Sequence, residues 1–379
     1  MSKSIFLEKL LDKAEVKWVP LGELTKIKSG QAVNKTMIAE NPGDYPVINS
    51  GREPLGYIDQ WNTENDPIGI TSRGAGVGSI TWREGRYYRG NLNYSVSIED
   101  GANVRTKFLL HLLLYMQREI QDLCTYDGIP ALNASNLKQL LLPIPCPENP
   151  EKSLAIQAEI VRILDTFTEL TAELTAELTA RKKQYDYYRD QLLTFKDGEV
   201  EWKTLGEVYK FQYGMGNTIP TLGGEYPIYG SNGIVGAHNE FNSEDSPVIG
   251  HIGAYAGIVN WGKGKHFVTY NGVICRLISE RVSSKYAYYQ LLKQDFNSMA
   301  KSASHPFVSY AELNKVLIPI PSPSEQVRIV AILDQFDTLT HSISEGLPRE
   351  IELRQKQYEY YRDLLLNFPK SEPQTEGVA

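Results

Sequence analysis

The chain has 379 residues, 41% of them hydrophobic, a formal net charge of −7 and three cysteines. That length suits two or three domains with real cores. No apolar run approaches the roughly 18 residues of a membrane helix, and Cys124, Cys146 and Cys275 form no CxxC pair, which disfavours a disulfide framework or a zinc site and points to a reducing, cytoplasmic setting.

In chain order, "MSKSIFLEKLLDKAE" predicts an amphipathic helix within residues 1–18 rather than a signal peptide. Short runs with β-branched and aromatic residues follow ("YPVIN", "PIGIT", "SITW", "YSVSI"), bounded by Gly, Asn and Asp, and predict strands and turns. "TKFLLHLLLYMQREIQDL" predicts a helix, "TYDGIPALNAS" a loop leading to a short helix, and "PIP" a stop. Residues 19–148 are therefore expected to form one α+β domain of small irregular sheets.

Residues 149–198 predict a long helix. Asn149-Pro150 marks its start, and an apolar seam runs through Ile160, Ile163, Phe167, Leu170, Leu174, Leu178, Arg181, Tyr185, Tyr188 and Leu192. The spacing is that of a coiled coil with one extra four-residue step. That step coincides with the tetrapeptide repeat "TELTAELTAELTA", built from good helix formers. Glu169, Glu173 and Glu177 stack there at i,i+4, a mildly unfavourable arrangement, so the tract looks like a length element.

The order then repeats. "EVKWVPLGELTKIKSG" (Glu15–Gly30) returns as "EVEWKTLGEVYKFQYG" (Glu199–Gly214), "RGAGVGSITW" ending at Trp82 returns as "IGAYAGIVNW" ending at Trp261, and "LLLPIPCP" returns as "VLIPIPSP". "RKKQYDYYRDQLLTF" (Arg181–Phe195) returns as "RQKQYEYYRDLLLNF" (Arg354–Phe368), with 11 of 15 positions identical. The chain is a duplication. Residues 199–322 are expected to form a second α+β domain of small irregular sheets, and 323–368 a second long helix opened by Ser322-Pro323-Ser324-Glu325. That helix must break at Gly346-Leu347-Pro348. Residues 369–379 are expected to be a disordered tail. The two long helices are expected to pair antiparallel. The net acidity collects in 148–201 and 321–379, whereas 20–140 and 202–320 are nearly neutral, so the charge does not exclude a nucleic-acid partner for either domain.

Motifs for chemistry are sparse. "RGAGVG" lacks the GxGxxG spacing and the GK[ST] ending, and predicts a turn between strands; "GKGK" (Gly262–Lys265) predicts a hairpin turn. The six histidines show no paired ligand spacing, so no metal is expected. The Asn/Asp-Pro-Pro-Tyr/Phe signature of adenine methyltransferases is absent. What remains is polar display at predicted turns: Ser50, Arg52, Ser72, Arg73, Asn91, Asn93 and Tyr94 in the first domain, and Ser231, Asn232, His251, Tyr255, Tyr270, Asn271, Ser304 and His305 in the second. Such side chains read base edges or hold phosphates, with Arg73 and Arg52 the strongest candidates.

Paired variable domains on near-identical helices, the "LGE" openings, the "PIP" exits, "TAELTAEL" and "RQKQYEYYRDLLLNF" together resemble the specificity subunit of a Type I restriction-modification enzyme, of the branch with tandem TAEL repeats. The resemblance implies an α+β chain with two target recognition domains joined and separated by two long antiparallel helices. Each domain would read one half of a bipartite DNA target. Leu170, Leu174 and Leu178 would belong to the spacer. Gln184, Tyr185, Tyr188 and Arg189, with Gln357, Tyr358, Tyr361 and Arg362, would lie near the surface that docks two methyltransferase subunits, to which two restriction subunits join. S-adenosylmethionine, ATP and Mg would be bound by those partners and not by this chain, which would have no catalytic residue. The competing expectation is a scaffold that holds two partner proteins at a fixed distance and touches no DNA.

Overall fold

The computed structural model describes residues 10–11, 15–51, 53–299, 306–342 and 344–369. It divides into two compact units, Met1–Glu173 with Glu352–Ala379, and Leu174–Ile351. The division falls inside the tetrapeptide tract. Each unit thus comprises one α+β domain and the helix segments on which that domain sits.

The first unit contains β1 (Val16–Pro20), β2 (Thr25–Ser29), β3 (Tyr45–Ile48), β4 (Tyr57–Ile58), β5 (Ile68–Thr71), β6 (Ile80–Trp82), β7 (Tyr88–Arg89), β8 (Asn93–Ile98), β9 (Cys124–Thr125), β10 (Ala131–Leu132) and β11 (Leu141–Pro145). They form small sheets in the orders β2-β8-β5-β6 and β4-β3-β7, with the antiparallel pairs β1-β11 and β9-β10. The second unit contains β12 (Glu201–Thr204), β13 (Tyr209–Tyr213), β14 (Tyr226–Gly230), β15 (Gly233–His238), β16 (Ser243–Gly250), β17 (Val259–Val268), β18 (Gly272–Leu277) and β19 (Leu317–Ile320). The pair β12-β19 matches β1-β11, but the rest is one six-stranded sheet, β13-β18-β16-β17-β14-β15.

The topology is the same in both. In the first unit the strand equivalent to β17 is split into β6 and β7 by Arg83–Arg86, so one sheet becomes two. This corrects the expectation of small irregular sheets for the second domain. It also corrects "GKGK", which lies inside β17 and not in a hairpin turn. Gly264 there takes φ +60 opposite a register shift between Glu244 and Ser246, a bulge that bends the strand without ending it.

Val16–Trp18 are strand, so the predicted N-terminal helix does not extend to residue 18; Leu10 and Leu11 are helical. The "LGE" motif has a packing reason. Leu21 and Leu205 are fully buried, and a Cβ on Gly22 would come within 2.8 Å of Lys138 Cβ, as one on Gly206 would come within 2.9 Å of Asn314 Oδ1. The glycine lets each domain's opening turn press against its own short late helix. Helices Thr106–Tyr115 and Ser284–Lys293 fill the two cores.

The central helix runs Pro150–Leu192, and its start is capped by Asn149 Oδ1, which accepts from Lys152 N at 3.0 Å. The distal helix breaks as predicted, into Pro323–His341 and Gly346–Leu366. Ser322 caps the first of these by accepting from Glu325 N at 3.3 Å. In the second unit the helices run antiparallel: Tyr188 stacks on Phe336 at 5.7 Å, and Tyr185 meets His341 edge-on at 5.4 Å. Ile156, Ile160 and Leu164 are buried, as are Tyr185 and Leu193, whereas Leu170, Leu174 and Leu178 are only half-buried. The tetrapeptide stretch is the loosest part of the seam.

Each domain is clamped to its helices in the same way. Gln157 is buried on the central helix; its Oε1 accepts from Arg105 N at 2.8 Å and its Nε2 donates to Asn103 O at 2.9 Å. Gln326 does the same for Ser283 N at 2.8 Å and Arg281 O at 3.1 Å. Two helical turns on, Asp165 accepts from His111 Nε2 at 2.8 Å, and Asp334 accepts from Tyr289 OH at 2.5 Å. Lys107 and Lys285 approach these carboxylates at 3.9 and 3.6 Å while lying over Trp82 and Trp261, each at 4.5 Å.

Burial pushes the His111 pKa down, outweighing the pull of Asp165, and its buried Nδ1 has no partner, which suits a neutral ring. The unfolded chain therefore binds more protons below an ordinary histidine pKa of about 6.5. Stability is full above that value and falls as pH drops through the window between the two pKa values. His266, also pushed down by burial, adds the same sign in the second unit. Hydrogen exchange, corrected for intrinsic rates, should show helix Thr106–Tyr115 keeping its protection above about pH 6.5 and losing it as the pH falls below that value. His111→Gln should flatten that loss.

Candidate nucleic-acid interface

In the first domain the turn after β5 is held by a frame of main-chain bonds. Val77 N donates to Gly74 O (3.0 Å), Gly78 N to Thr71 O (2.9 Å) and Ser79 N to Gly76 O (3.0 Å). Three more bonds stitch it to its neighbours: Gly74 N to Pro130 O (2.9 Å), Leu132 N to Ser72 O (2.8 Å) and Ser72 N to Leu92 O (2.9 Å). The turn after β16 repeats every one of them. Ala256 N donates to Gly253 O (2.9 Å), Gly257 N to Gly250 O (2.8 Å) and Ile258 N to Tyr255 O (3.2 Å). The stitches are Gly253 N to Pro306 O (2.9 Å), Val308 N to His251 O (3.0 Å) and His251 N to Asn271 O (2.8 Å). Gly74 and Gly253 take φ +94 and +86, and Gly78 and Gly257 take φ +75 and +93, a left-handed conformation that explains the shared glycines of "RGAGVG" and "IGAYAG". "RGAGVG" is thus a turn between strands, as its spacing predicted.

Beside this turn lie the loop after β7 or β17 (Gly90–Asn93; Thr269–Gly272) and the loop after β3 or β14. Gly90 N donates to Ile48 O at 2.7 Å, and Thr269 N to Tyr229 O at 3.0 Å. Asn49 Oδ1 accepts from Leu92 N at 2.9 Å, and Ser231 Oγ donates to Ile252 O at 2.9 Å and Asn271 O at 3.0 Å. Each domain thus fixes three loops side by side.

On these frames Arg73 and Asn91 are exposed and Ser50 half-buried; in the second domain Asn232, Tyr255 and Tyr270 are exposed and Asn271 half-buried. The remaining described candidates are corrected by their bonding. Asn93 is fully buried, and its Oδ1 accepts from Arg89 Nη1 at 2.5 Å. Ser72 is buried within the frame. Tyr94 OH donates to Leu132 O at 3.0 Å. His251 is buried, its Nδ1 donating to Val308 O at 2.9 Å and its ring 4.3 Å from that of Tyr213, and the Ser231 hydroxyl is spent on the two carbonyls already named. These side chains hold the loops rather than face solvent, because a buried polar group must be bonded. Arg52, Ser304 and His305 lie outside the described residues.

The chain matches the family of the Type I restriction modification DNA specificity domain twice, over residues 13–181 and 198–353. It belongs to that family. It is 39% identical to the Type I restriction enzyme EcoR124I/EcoR124II specificity subunit of Escherichia coli, covering 98% of this chain and 99% of that one. It is 34% identical to the EcoprrI specificity subunit of the same organism, covering 91% and 93%. A crystal structure of a Type-I restriction-modification system S subunit from M. genitalium has the same fold, with a TM-score of 0.69 at 21% identity over 95% of this chain and 98% of that one. This specificity-family chain therefore has two domains of one fold joined by long helices.

The helical motif shared by the two halves is also sorted by the structure. Tyr185 is buried against Phe336 and His341, and Tyr358 is half-buried within the first unit's core. Both pack inward, which corrects their expected place on a docking surface. Tyr188 and Tyr361 stack on Phe336 and Phe167 at 5.7 and 5.1 Å. Gln184 accepts from Arg181 at 2.7 Å and Gln357 from Arg354 at 2.9 Å. Arg189 and Arg362 lie over Tyr185 and Tyr358 at 5.6 and 5.9 Å. The tyrosines presented outward in both copies are Tyr187 and Tyr360, 62% and 48% exposed. The motif contains them, and Tyr187 already lies off the apolar seam that runs through Tyr185 and Tyr188. Among the described residues no group of His, Cys, Asp and Glu could hold a metal ion, and no helix is long and apolar enough to cross a membrane.

The part played by Arg89 was not among the expectations from sequence. Buried beneath the loops of the first domain, its guanidinium donates to Asn93 Oδ1, to Tyr94 O (3.1 Å), to Asp66 O (2.7 Å) and to the Tyr87 hydroxyl, and pairs with Asp66 Oδ2 at 3.5 Å. Burial pushes the Tyr87 hydroxyl up to about 12, so it stays protonated. The only hint in sequence is an arginine inside an otherwise apolar strand-like run, "RYYRGN". Arg89→Met should destabilise the first domain by about 1–3 kcal/mol, because the buried Asn93 and the half-buried Asp66 would lose their partner. Chemical unfolding read from the exchange of first-domain amides checks this, with the second domain unchanged.

Proposed function

We propose that this chain is the non-catalytic DNA-reading subunit of a Type I restriction-modification complex in the cytoplasm, each domain reading one half of a bipartite duplex target. The observation that carries this reading is the pair of identical main-chain frames bearing different exposed side chains, Arg73 and Asn91 on one, Tyr255 and Tyr270 on the other. Two copies of one scaffold with unlike displays are what two unlike half-sites require. The Escherichia coli relatives are named specificity subunits of Type I restriction enzymes, which supports the same assignment.

In this proposal the central and distal helices dock two methyltransferase subunits, with Tyr187 and Tyr360 as the repeated contacts, since exposed tyrosines are favoured anchors at interfaces. Restriction subunits join through them. S-adenosylmethionine, ATP and Mg are bound by those partners, which carry out adenine methylation and cleavage. Leu170, Leu174 and Leu178 belong to a spacer whose length sets the unread interval. Each tetrapeptide adds about 6 Å of helix.

Methylation mapping in cells that carry this chain with its methyltransferase tests the proposal. Deleting Thr171–Leu174 should change the interval between half-sites and leave their bases unchanged; altered bases would overturn the ruler. Arg73→Ala should relax one or two positions of one half-site, by about 1–3 kcal/mol if the guanidinium forks onto a guanine. A uniform loss on every sequence would make Arg73 a phosphate contact. Absence of any sequence-specific binding in the assembled complex would favour a scaffold.

A further inference from the structure

The two loop frames differ most at the residue following the buried Ser72 or His251. In the first domain it is Arg73, in the second Ile252. Ile252 is held as Arg73 is: Arg73 bridges to Ala131, and Ile252 bridges to Phe307. The Ile252 carbonyl also takes the Ser231 hydroxyl. The side chain therefore cannot withdraw into the core, and it remains 36% exposed beside Tyr255 and Tyr270, at 49% and 44%. Tyr270 is braced from behind by the rings of Tyr213 (5.7 Å) and His251 (5.8 Å). Among the described residues of these loops in the second domain, no lysine or arginine occurs.

An apolar side chain cannot donate to or accept from a base edge, and pressing one against a phosphate would desolvate charge without compensation. In the major groove one feature answers an apolar contact, the 5-methyl group of thymine. Ile252 is β-branched and rigid about χ1, so it offers a fixed pair of methyl-bearing arms at the position where the other domain offers a guanidinium. We infer that the second domain reads its half-site through thymine 5-methyl contacts centred on Ile252, with Tyr255 and Tyr270 walling the contact from water. The first domain reads through the charged and amide groups of Arg73 and Asn91. This inference rests on the proposal that these loops face DNA.

The test uses the complex assembled with its methyltransferase subunits and duplexes that carry the mapped target. Each thymine of both half-sites is replaced in turn by 2′-deoxyuridine, which removes only the methyl group. One replacement in the half-site assigned to the second domain should weaken binding by about 4- to 10-fold, the worth of burying roughly one methyl group or slightly more. In Ile252→Ala that replacement should have no further effect, while Arg73→Ala should leave its effect intact. If every deoxyuridine duplex binds as tightly as the parent, or if the sensitivity survives in Ile252→Ala, methyl reading by Ile252 is overturned. A separate arm replaces residues 252–255 by the Arg73–Gly76 sequence. A changed second half-site together with indifference to deoxyuridine sinks only the methyl contact. An unchanged half-site sinks the placement of these loops on DNA, and the inference with it.

Discussion

The side-chain amides of Gln157 and Gln326 have almost no surface, yet each accepts a main-chain N–H at the mouth of its domain's core helix and donates to a carbonyl beside it. A buried amide left unbonded costs about 1–3 kcal/mol, so the helix start can occupy one position relative to the long helix. Everything downstream inherits that position. The core helix fixes the sheet, the sheet fixes the strand ends, and the strand ends fix the loops. Asp165 and Asp334, two turns further on, set the rotation. A helix-borne ruler could not meter anything if the reading domains pivoted on it, and this clamp is what prevents the pivot within each unit.

The second design feature is the separation of frame from display. Six main-chain hydrogen bonds recur in each turn, and they ask of the sequence only glycines at left-handed positions. Exposed positions on that frame are free to differ, Arg73 in one copy and Ile252 in the other, because substitutions of exposed residues usually shift stability by no more than about 0.5 kcal/mol. Where the frame does need a specific interior, the two halves solve it differently. The first buries Arg89 with Asp66 and Asn93. The second puts Val268 and Gly272 at those places and keeps β17 continuous. The charged solution accompanies the split sheet, in which fewer ladder bonds hold the loop strand.

Duplication, the helix break at Gly346 and the capped helix starts were legible because each rests on local chemistry: repeated strings, a proline in a first turn, a serine or asparagine immediately before it. The paired frames were half legible, since "RGAGVG" and "IGAYAG" align on glycines. What could not be read was the direction of polar side chains at turns. Asn91 and Asn93 look alike in sequence, but the guanidinium that pulls Asn93 inward belongs to a strand whose pairing partner lies far along the chain. Helical direction was more accessible. The seam spacing already placed Tyr185 inward and left Tyr187 outside it, whereas the family motif, transferred whole, assigned both faces to docking.

The half-burial of the tetrapeptide leucines has a consequence for how spacing can vary. Leu164 and Tyr185 are tightly packed, and removing or rotating such a side chain costs several kcal/mol. Inserting four residues turns the following helix by about 40° relative to its partner, which packed positions would resist. Leu170, Leu174 and Leu178 forfeit less when their register shifts, because little of their surface is committed. The repeat also has near-identical residues at every step, so a slipped pairing meets the same leucine and the same threonine as before. A length element needs a stretch where the seam is continuous enough to stay helical and loose enough to accept another turn. In this chain that stretch is the one where the two compact units divide.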